Sequence, residues 1–287
     1  MVTPGHVLLF ATAFAMVGIT TGLSLEGGST PLTIVAIRSV VVVVIFAIYF
    51  RLAGVSLAMT PRERSIALAI GLILCLNNWT LNESLAHIPL PLAILIFYLW
   101  PAITSIATWL LGKERFTWRS LFGIVLAFAG VGLALNVEFT EAQTRGVLLA
   151  LVSAVAWSCV FVLAGQFFAG RDSRPVTLWM TVSSAAIFVI LVAITGDWTL
   201  PATTRGWVGI TTLPFFYAFG MIGLFVATTS LGPMRTGFFM NFEPIATVLL
   251  AVPLLGQSLE PIQMAGAARV MTALFVFRPL KAVKGET

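Results

Sequence analysis

Ten long apolar runs divide the chain, at residues 6–24, 32–50, 65–86, 90–111, 118–136, 146–168, 175–195, 206–229, 234–255 and 262–277. Each is close to the about 20 residues an α-helix needs to cross a bilayer. Between them lie Glu26-Gly27-Gly28-Ser29, Ala53-Gly54, Pro61-Arg62-Glu63-Arg64, Gly112-Lys113-Glu114-Arg115, Gly170-Arg171-Asp172 and Gly196-Asp197. Glycine, proline and charge in such clusters end helices. A membrane β-barrel would alternate apolar and polar positions in segments of about ten residues. These runs are continuous, so the pattern predicts an all-α integral membrane protein with ten transmembrane helices. The first run lacks the basic residues of a signal peptide and is long enough to span, so it is read as a retained helix 1.

Composition points the same way. Of 287 residues, 59% are hydrophobic and 9% charged, where a soluble protein carries roughly 25% charged residues. Mean hydropathy is +1.03. With short loops this length holds ten spans and no separate soluble domain, and lipid is the surrounding partner. The basic residues orient the spans. With the N-terminus in the cytoplasm, cytoplasmic segments hold Arg51, Arg62, Arg64, Lys113, Arg115, Arg119, Arg171, Arg174, Arg235, Arg278, Lys281 and Lys284, and external segments hold only Arg145 and Arg205. This is the positive-inside pattern, and both termini are then cytoplasmic. The basic pI of about 9.8 reports that anchoring, and no nucleic-acid partner is expected. Cys75 and Cys159 lie inside apolar runs and are expected as small core residues, not a disulfide.

An internal repeat organises the spans. Residues 84–123 and 230–266 each run Ser-Leu, a proline turn, an aromatic-rich helix with a proline inside it (Pro101, Pro244), Leu-Leu-Gly, and a second helix with an early glycine (Gly123, Gly266). The boundaries drawn are 1–140 and 141–287, one five-helix repeat each. Five is odd, so the second repeat enters the membrane inverted, the arrangement of many secondary transporters with a site near the midplane. A proline in mid-span frees a carbonyl that must find a partner in protein or a wet cavity. The matched prolines point to such a cavity, with a packing kink as the alternative.

The chain resembles the drug/metabolite transporter superfamily in its ten-helix form. The resemblance rests on Pro31 followed by Arg38, on the proline-centred fourth span ending Leu-Leu-Gly-Lys-Glu-Arg, on Gly123, Gly130 and Gly132 in the fifth, and on Glu243-Pro244 in the ninth. Two departures stand out: Gln257-Ser258 follows Gly256 where the family has an acidic residue, and Arg269 lies inside the tenth span. The resemblance implies an alternating-access exporter of small metabolites in a bacterial inner membrane. Within the superfamily the chain is most similar to the bacterial aromatic amino acid exporters.

Intramembrane charges are rare, costly and functional by default. Glu243 could pair with Arg269, and Arg38 with Glu83. Glu243 is either a proton carrier or ammonium contact, or half of a structural ion pair. Asn77, Asn78, Trp79, Thr80 and Asn82 crowd the third span, and their amides must face the interior as glue between helices or as pathway lining. Mid-span aromatics suit a pocket for an amphipathic solute. The candidate solute-binding set is Asn78, Trp79, Asn82, Tyr98, Trp100, Trp157, Ser158, Trp179, Tyr217, Phe239 and Glu243, drawn mainly from spans 3, 4, 8 and 9. His6 and His87 lack a second metal ligand at suitable spacing, and neither a metal nor a cofactor is expected.

No HExxH, GxSxG or GxxxxGK[ST] motif is present, so an enzyme is not expected and transport must run on a gradient. The solute is expected to be an amino acid with an aromatic or hydrophobic side chain. Phosphorylated solutes are the alternative; they would need several intramembrane cations where only Arg38 and Arg269 are available. A membrane-embedded enzyme or a non-transporting subunit are the alternatives from other classes. Gly18 and Gly22 are too common a pair to argue a dimer, and a homo-oligomer stays open.

Overall fold

The computed structural model describes residues 3–112, 118–134, 141–231, 236, 239–256 and 261–276. Lys113, Arg115, Arg235, Arg278, Lys281, Lys284 and the Gln257-Ser258 departure lie outside the described residues. The helices are α1 (Pro4–Glu26), α2 (Pro31–Leu52), α3 (Pro61–Ser84), α4 (Leu90–Phe97), α5 (Trp100–Leu110), α6 (Trp118–Ala134), α7 (Glu141–Phe167), α8 (Ser173–Thr195), α9 (Thr204–Leu231), α10 (Phe242–Leu255) and α11 (Pro261–Val276). Taking α4 and α5 as one interrupted span gives ten. Among the described residues seven spans, 4–26, 31–52, 61–84, 90–110, 143–167, 173–195 and 204–228, are long and apolar enough on their own to cross a membrane.

Local chemistry sets the starts. α1, α2 and α3 each open with Thr-Pro: Thr3, Thr30 and Thr60 are the N-caps, and Pro4, Pro31 and Pro61 take the first helical position. Proline loses nothing there, because that N–H has no helical partner. α3 begins four residues before its apolar run, since Thr60 and Glu63 form a capping box, with Glu63 accepting from the Thr60 amide at 2.9 Å. α8 and α10 end on Gly196 and Gly256, which adopt the left-handed conformation that favours glycine.

The fourth span breaks where its proline requires it. Pro101 has no N–H, and its ring clashes with the carbonyl four residues earlier. That carbonyl belongs to Phe97, where α4 stops; α5 resumes at Trp100. The ninth span repeats the device. Pro244 is set against Met240, and a turn at Asn241 precedes α10. α4 is buried throughout Leu90–Ile96, as expected of a helix that is apolar all round. It sits at the centre of the largest core, among Ile19, Ala127, Ala150, Ala251, Ala267 and Val270.

Packing crosses the sequence repeats. The most extensive contacts are α1 with α9, α6 with α11, and α3 with α7. An exchange of repeats turns α1–α9 into α7–α3, and α2–α9 into α8–α3; all four contacts are present. Likewise α1–α10 answers to the packing of α7 on α4 and α5, while α2–α8, α4–α10 and α6–α11 map onto themselves. The helices therefore form two four-span bundles, each built from both repeats. One holds α1, α2, α9 and α10; the other holds α3, α4–α5, α7 and α8. The α6–α11 pair stands beside them. The seam between the bundles is α2 against α8 and α3, and α4 against α10.

Glycines let backbones touch inside the bundles. A Cβ on Gly209 of α9 would lie 2.6 Å from the Thr20 carbonyl oxygen of α1, and one on Gly130 would lie 2.8 Å from that of Gly266. Gly18 and Gly22 face inward, on Leu90 and Leu255. Cys75 is buried, whereas Cys159 is exposed on α7, so only the first is a core residue; both are free thiols.

A Cβ on Gly71 of α3 would lie 2.6 Å from both the Met180 carbonyl oxygen and the Ser183 Cβ of α8. Gly71→Val must push these helices apart and is expected to cost about 1–3 kcal/mol. Gly165→Ala, which meets nothing within 4 Å, serves as the control. Melting curves of the purified variants in detergent check this: a Gly71→Val protein as stable as its parent contradicts the packing.

Candidate functional site

Two polar centres lie on the seam. The first is at the paired helix breaks. Tyr98, the residue that ends α4, donates a hydrogen bond from its hydroxyl to the carboxylate of Glu243 in the first turn of α10. One partner comes from each repeat and one from each bundle. The proline breaks place them there: Tyr98 follows the end of α4, and Glu243 lies in the first turn of the helix that resumes after the second break.

The second centre is a cavity of about 10 Å³ lined by Arg38, Ser39, Val42, Leu74, Asn78, Thr181 and Tyr217. That is room for about one water molecule. Arg38 is only 5% exposed, and its guanidinium lies over the Tyr217 ring, 5.2 Å from the centroid. Stacking of this kind satisfies the flat face of the cation and leaves the donors on its edge. A larger open groove of about 450 Å³ runs along α7 from Glu141 to Val152. Its Leu148 and Val152 are exposed on the outside of the molecule, away from the seam.

Both ion pairs expected from the sequence are replaced. Glu243 meets Tyr98, and Arg269 is exposed on α11; among the described residues no ion pair joins them. Glu83 does not reach Arg38. It bonds Arg145 at 3.3 Å and His87 at 3.4 Å at the end of α3. The reason is direction along the helix: Glu83 sits in the last turn of α3, where α7 begins, while Arg38 lies further into the bilayer on α2.

The three amides of α3 divide their roles. Asn77 is glue: its Nδ2 donates to the Ser153 carbonyl and hydroxyl at 3.0 and 2.8 Å, and the Ser153 hydroxyl donates back to the Asn77 carbonyl at 3.3 Å. Asn78 lines the cavity. Asn82, one turn on, donates to the Asn78 carbonyl at 2.7 Å, and its buried Oδ1 has no protein partner. Trp79 is 37% exposed on the outer face of the same helix.

Ser158, Trp157, Trp100 and Trp179 lie on helices of the second bundle. Ser158 accepts from Thr104 at 2.9 Å. Trp157 lies against Phe97, and Trp100 against the exposed Phe161. Trp179 covers Arg64 at 5.3 Å, and its buried Nε1 has no protein partner. Phe239 is half-buried beside the break that precedes α10. The cavity is thus lined from the second, third, seventh and eighth spans, while the fourth and ninth meet each other at Tyr98 and Glu243.

Arg38, Ser39 and Thr181 were not in the solute-binding set drawn from the sequence, although Arg38 stood out there as an intramembrane charge. The signal for Thr181 was the hydroxyl run Thr177, Thr181, Ser183 and Ser184 inside an apolar span. One of these ties the bundle: Ser183 donates to the Leu68 carbonyl of α3 at 2.9 Å, whereas Thr181 donates to the Thr177 carbonyl of its own helix at 2.8 Å.

Each end of the membrane is clasped. At the arginine-rich end Glu63 bonds Arg171 at 2.6 Å. Arg174 donates to Asp172 at 2.6 and 2.9 Å, which holds that loop carboxyl below its ordinary range. At the other end Asp197 accepts from Thr30 at 2.8 Å, and Ala202 donates to the Gly27 carbonyl at 2.8 Å. These last bonds tie the α8–α9 loop to the α1–α2 turn.

Helix breaks paired across an inverted repeat are the arrangement of many membrane transporters. The chain matches the EamA-like transporter family twice, over residues 4–136 and 144–278, and belongs to that family, within the drug/metabolite transporter superfamily. It is a multi-pass membrane transporter and not an enzyme. Among curated proteins it is 28% identical over 275 residues to the threonine/homoserine exporter RhtA of Salmonella typhimurium, covering 90% of this chain and 87% of that one. It is 26% identical over 198 residues to the uncharacterized transporter YvbV of Bacillus subtilis, and 25% identical over 187 residues to YyaM of the same organism. Those two matches span 63% and 60% of the relatives' lengths. A solved crystal structure at 19% identity superposes with a TM-score of 0.64 over 96% of both chains and shares the fold.

A double-mutant cycle on Asn77→Leu and Ser153→Ala tests whether this cross-repeat bond holds the second bundle together. The expected coupling is about 0.6 kcal/mol, the average for polar bonds between membrane helices. Additive losses in thermal stability would mean that the pair contributes nothing as a pair.

Proposed function

We propose that this chain is a secondary transporter that exports amino acids with aromatic or hydrophobic side chains across a bacterial inner membrane. Both termini lie in the cytoplasm, on the side of the arginine-rich end, and the two bundles rock about the seam to open it alternately. The observation that carries this reading is the Tyr98–Glu243 hydrogen bond. A carboxylate within a span costs roughly 2.5–3.5 kcal/mol or more at mid-membrane. It is retained at the one place where both repeats break their helices. There it can hold a proton or meet a substrate ammonium, and Tyr98 keeps it oriented while the seam is shut.

The exporter named for threonine and homoserine supports amino acids as the solute class. The aromatic residues of the fourth and ninth spans, Tyr98 and Phe239 among them, support an apolar side chain on it. Phosphorylated solutes fit less well. A phosphate group calls for several convergent cations, whereas Arg269 is exposed and Arg38 is the buried cation on the seam.

Counterflow of radiolabelled amino acids into proteoliposomes, with and without a pH gradient, tests the proposal. Saturable uptake competed by Phe, Trp or Tyr is expected, together with loss of pH dependence in Glu243→Gln. Competition by threonine and homoserine alone would move the side-chain preference to small hydroxyl-bearing amino acids. No flux across a broad amino-acid panel would overturn the solute class.

A further inference from the structure

We propose that Arg38 is the anchor for the carboxylate of the transported solute, with Tyr217 as the platform that holds the guanidinium ready. This deepens the amino-acid reading and rests on it.

The first argument is charge. Arg38 is buried in a span, and a cation there needs an anionic partner or a functional reason to stay. No described carboxylate supplies the partner. Glu83 is held by Arg145 and His87, Glu243 by Tyr98, Glu63 by Arg171, Asp172 by Arg174 and Asp197 by Thr30. Glu26 and Glu141 are exposed at helix ends. The contact that the guanidinium does make is with the neutral Tyr217 ring. An aromatic face under the cation stabilises it without using its edge donors, so a planar carboxylate can still be received in bidentate fashion.

The second argument is the company Arg38 keeps. The cavity adds Ser39, Asn78 and Thr181, uncharged groups that bond a solute without competing for the guanidinium. The buried Asn82 Oδ1 lies one turn along the same face of α3 and lacks a protein partner. An amide oxygen is an acceptor only, suited to the ammonium of a zwitterion whose carboxylate is on Arg38.

The third argument is location. Arg38 and Tyr217 belong to one bundle, and Leu74, Asn78 and Thr181 to the other. With space for about one water, the cavity here is shut. A solute enters only when α2 parts from α3 and α8, and once bound it bridges the two bundles. The anchor therefore reads the solute at the surface whose separation transports it.

The test uses competitors that differ only at the carboxylate: phenylalanine against phenylalaninamide, and threonine against threoninamide, in counterflow by the full-length protein. The parent is expected to prefer each acid over its amide by about 10- to 100-fold, the worth of charge-assisted hydrogen bonds to a buried cation. Arg38→Gln should weaken the acids and bring the ratio near one. Arg38→Lys, which keeps the charge and loses the fork, should fall between and covers the case in which the glutamine variant does not fold. A merely structural arginine would weaken acid and amide alike and leave the ratio intact, and that result overturns the proposal. So does a parent that does not distinguish acid from amide. If the parent moves no amino acid, the amino-acid reading fails by itself; thermal stabilisation by benzoate or lactate, present in the parent and lost in Arg38→Lys, would still uphold the carboxylate site, and its absence from the parent would remove it.

Discussion

Inside a bilayer every backbone amide and carbonyl must find its partner within the protein, because the solvent offers none. A proline in a span breaks that requirement locally, and this chain pairs two such breaks across its repeats, at Pro101 and Pro244. The consequences reach through the fold. A broken turn cannot face lipid, so α4 is driven to the centre, where its apolar surface is covered on every side. The second break arrives opposite the first because the repeats are inverted copies. Tyr98 and Glu243 then have both the space and the need to meet.

The same constraint explains why the bundles cut across the repeats. Several polar groups in the spans find partners on another helix: Asn77 and Thr104 on α7, and the Leu68 carbonyl on α8. Close backbone approach at Gly71 and Gly209 adds dispersion contacts that lipid cannot match as densely. What holds α3 is thus the second half of the chain, and what holds α9 is the first. Between the bundles Tyr98 meets Glu243, and Thr30 and Thr33 of α2 bond the segment that follows α8.

Much of this was legible in the amino-acid pattern. Ten apolar runs and their polar boundaries placed the spans, and Pro101 with Pro244 marked the breaks. Periodicity alone could not say which face of α3 turns inward. Asn78 and Trp79 are adjacent in sequence, yet one lines the cavity and the other faces out, because successive helical residues point about 100° apart. The partners of Arg38 and Glu243 were also out of reach. Both pairings depend on which helices are neighbours across the seam, and opposite charge is a poor guide when a tyrosine stands closer. Thr181 and Ser183 show the weakest signal of all: hydroxyls in a span commonly bond their own helix, so only the fold separates a wall residue from a tie.

The exchange of helices between the bundles bears on how the protein is made. Spans are inserted in chain order, and α3 enters the bilayer long before α7 and α8 exist to receive Asn77 and Gly71. Until then its amides have only one another or water near the membrane surface. Arg38 likewise waits for Tyr217, nearly 180 residues downstream. Neither half of the chain can complete its packing alone, because the contacts are concentrated between distant parts of the chain. A nascent chain halted midway would present a cation and several amides to the lipid, the kind of exposed intramembrane polarity that quality control can recognise.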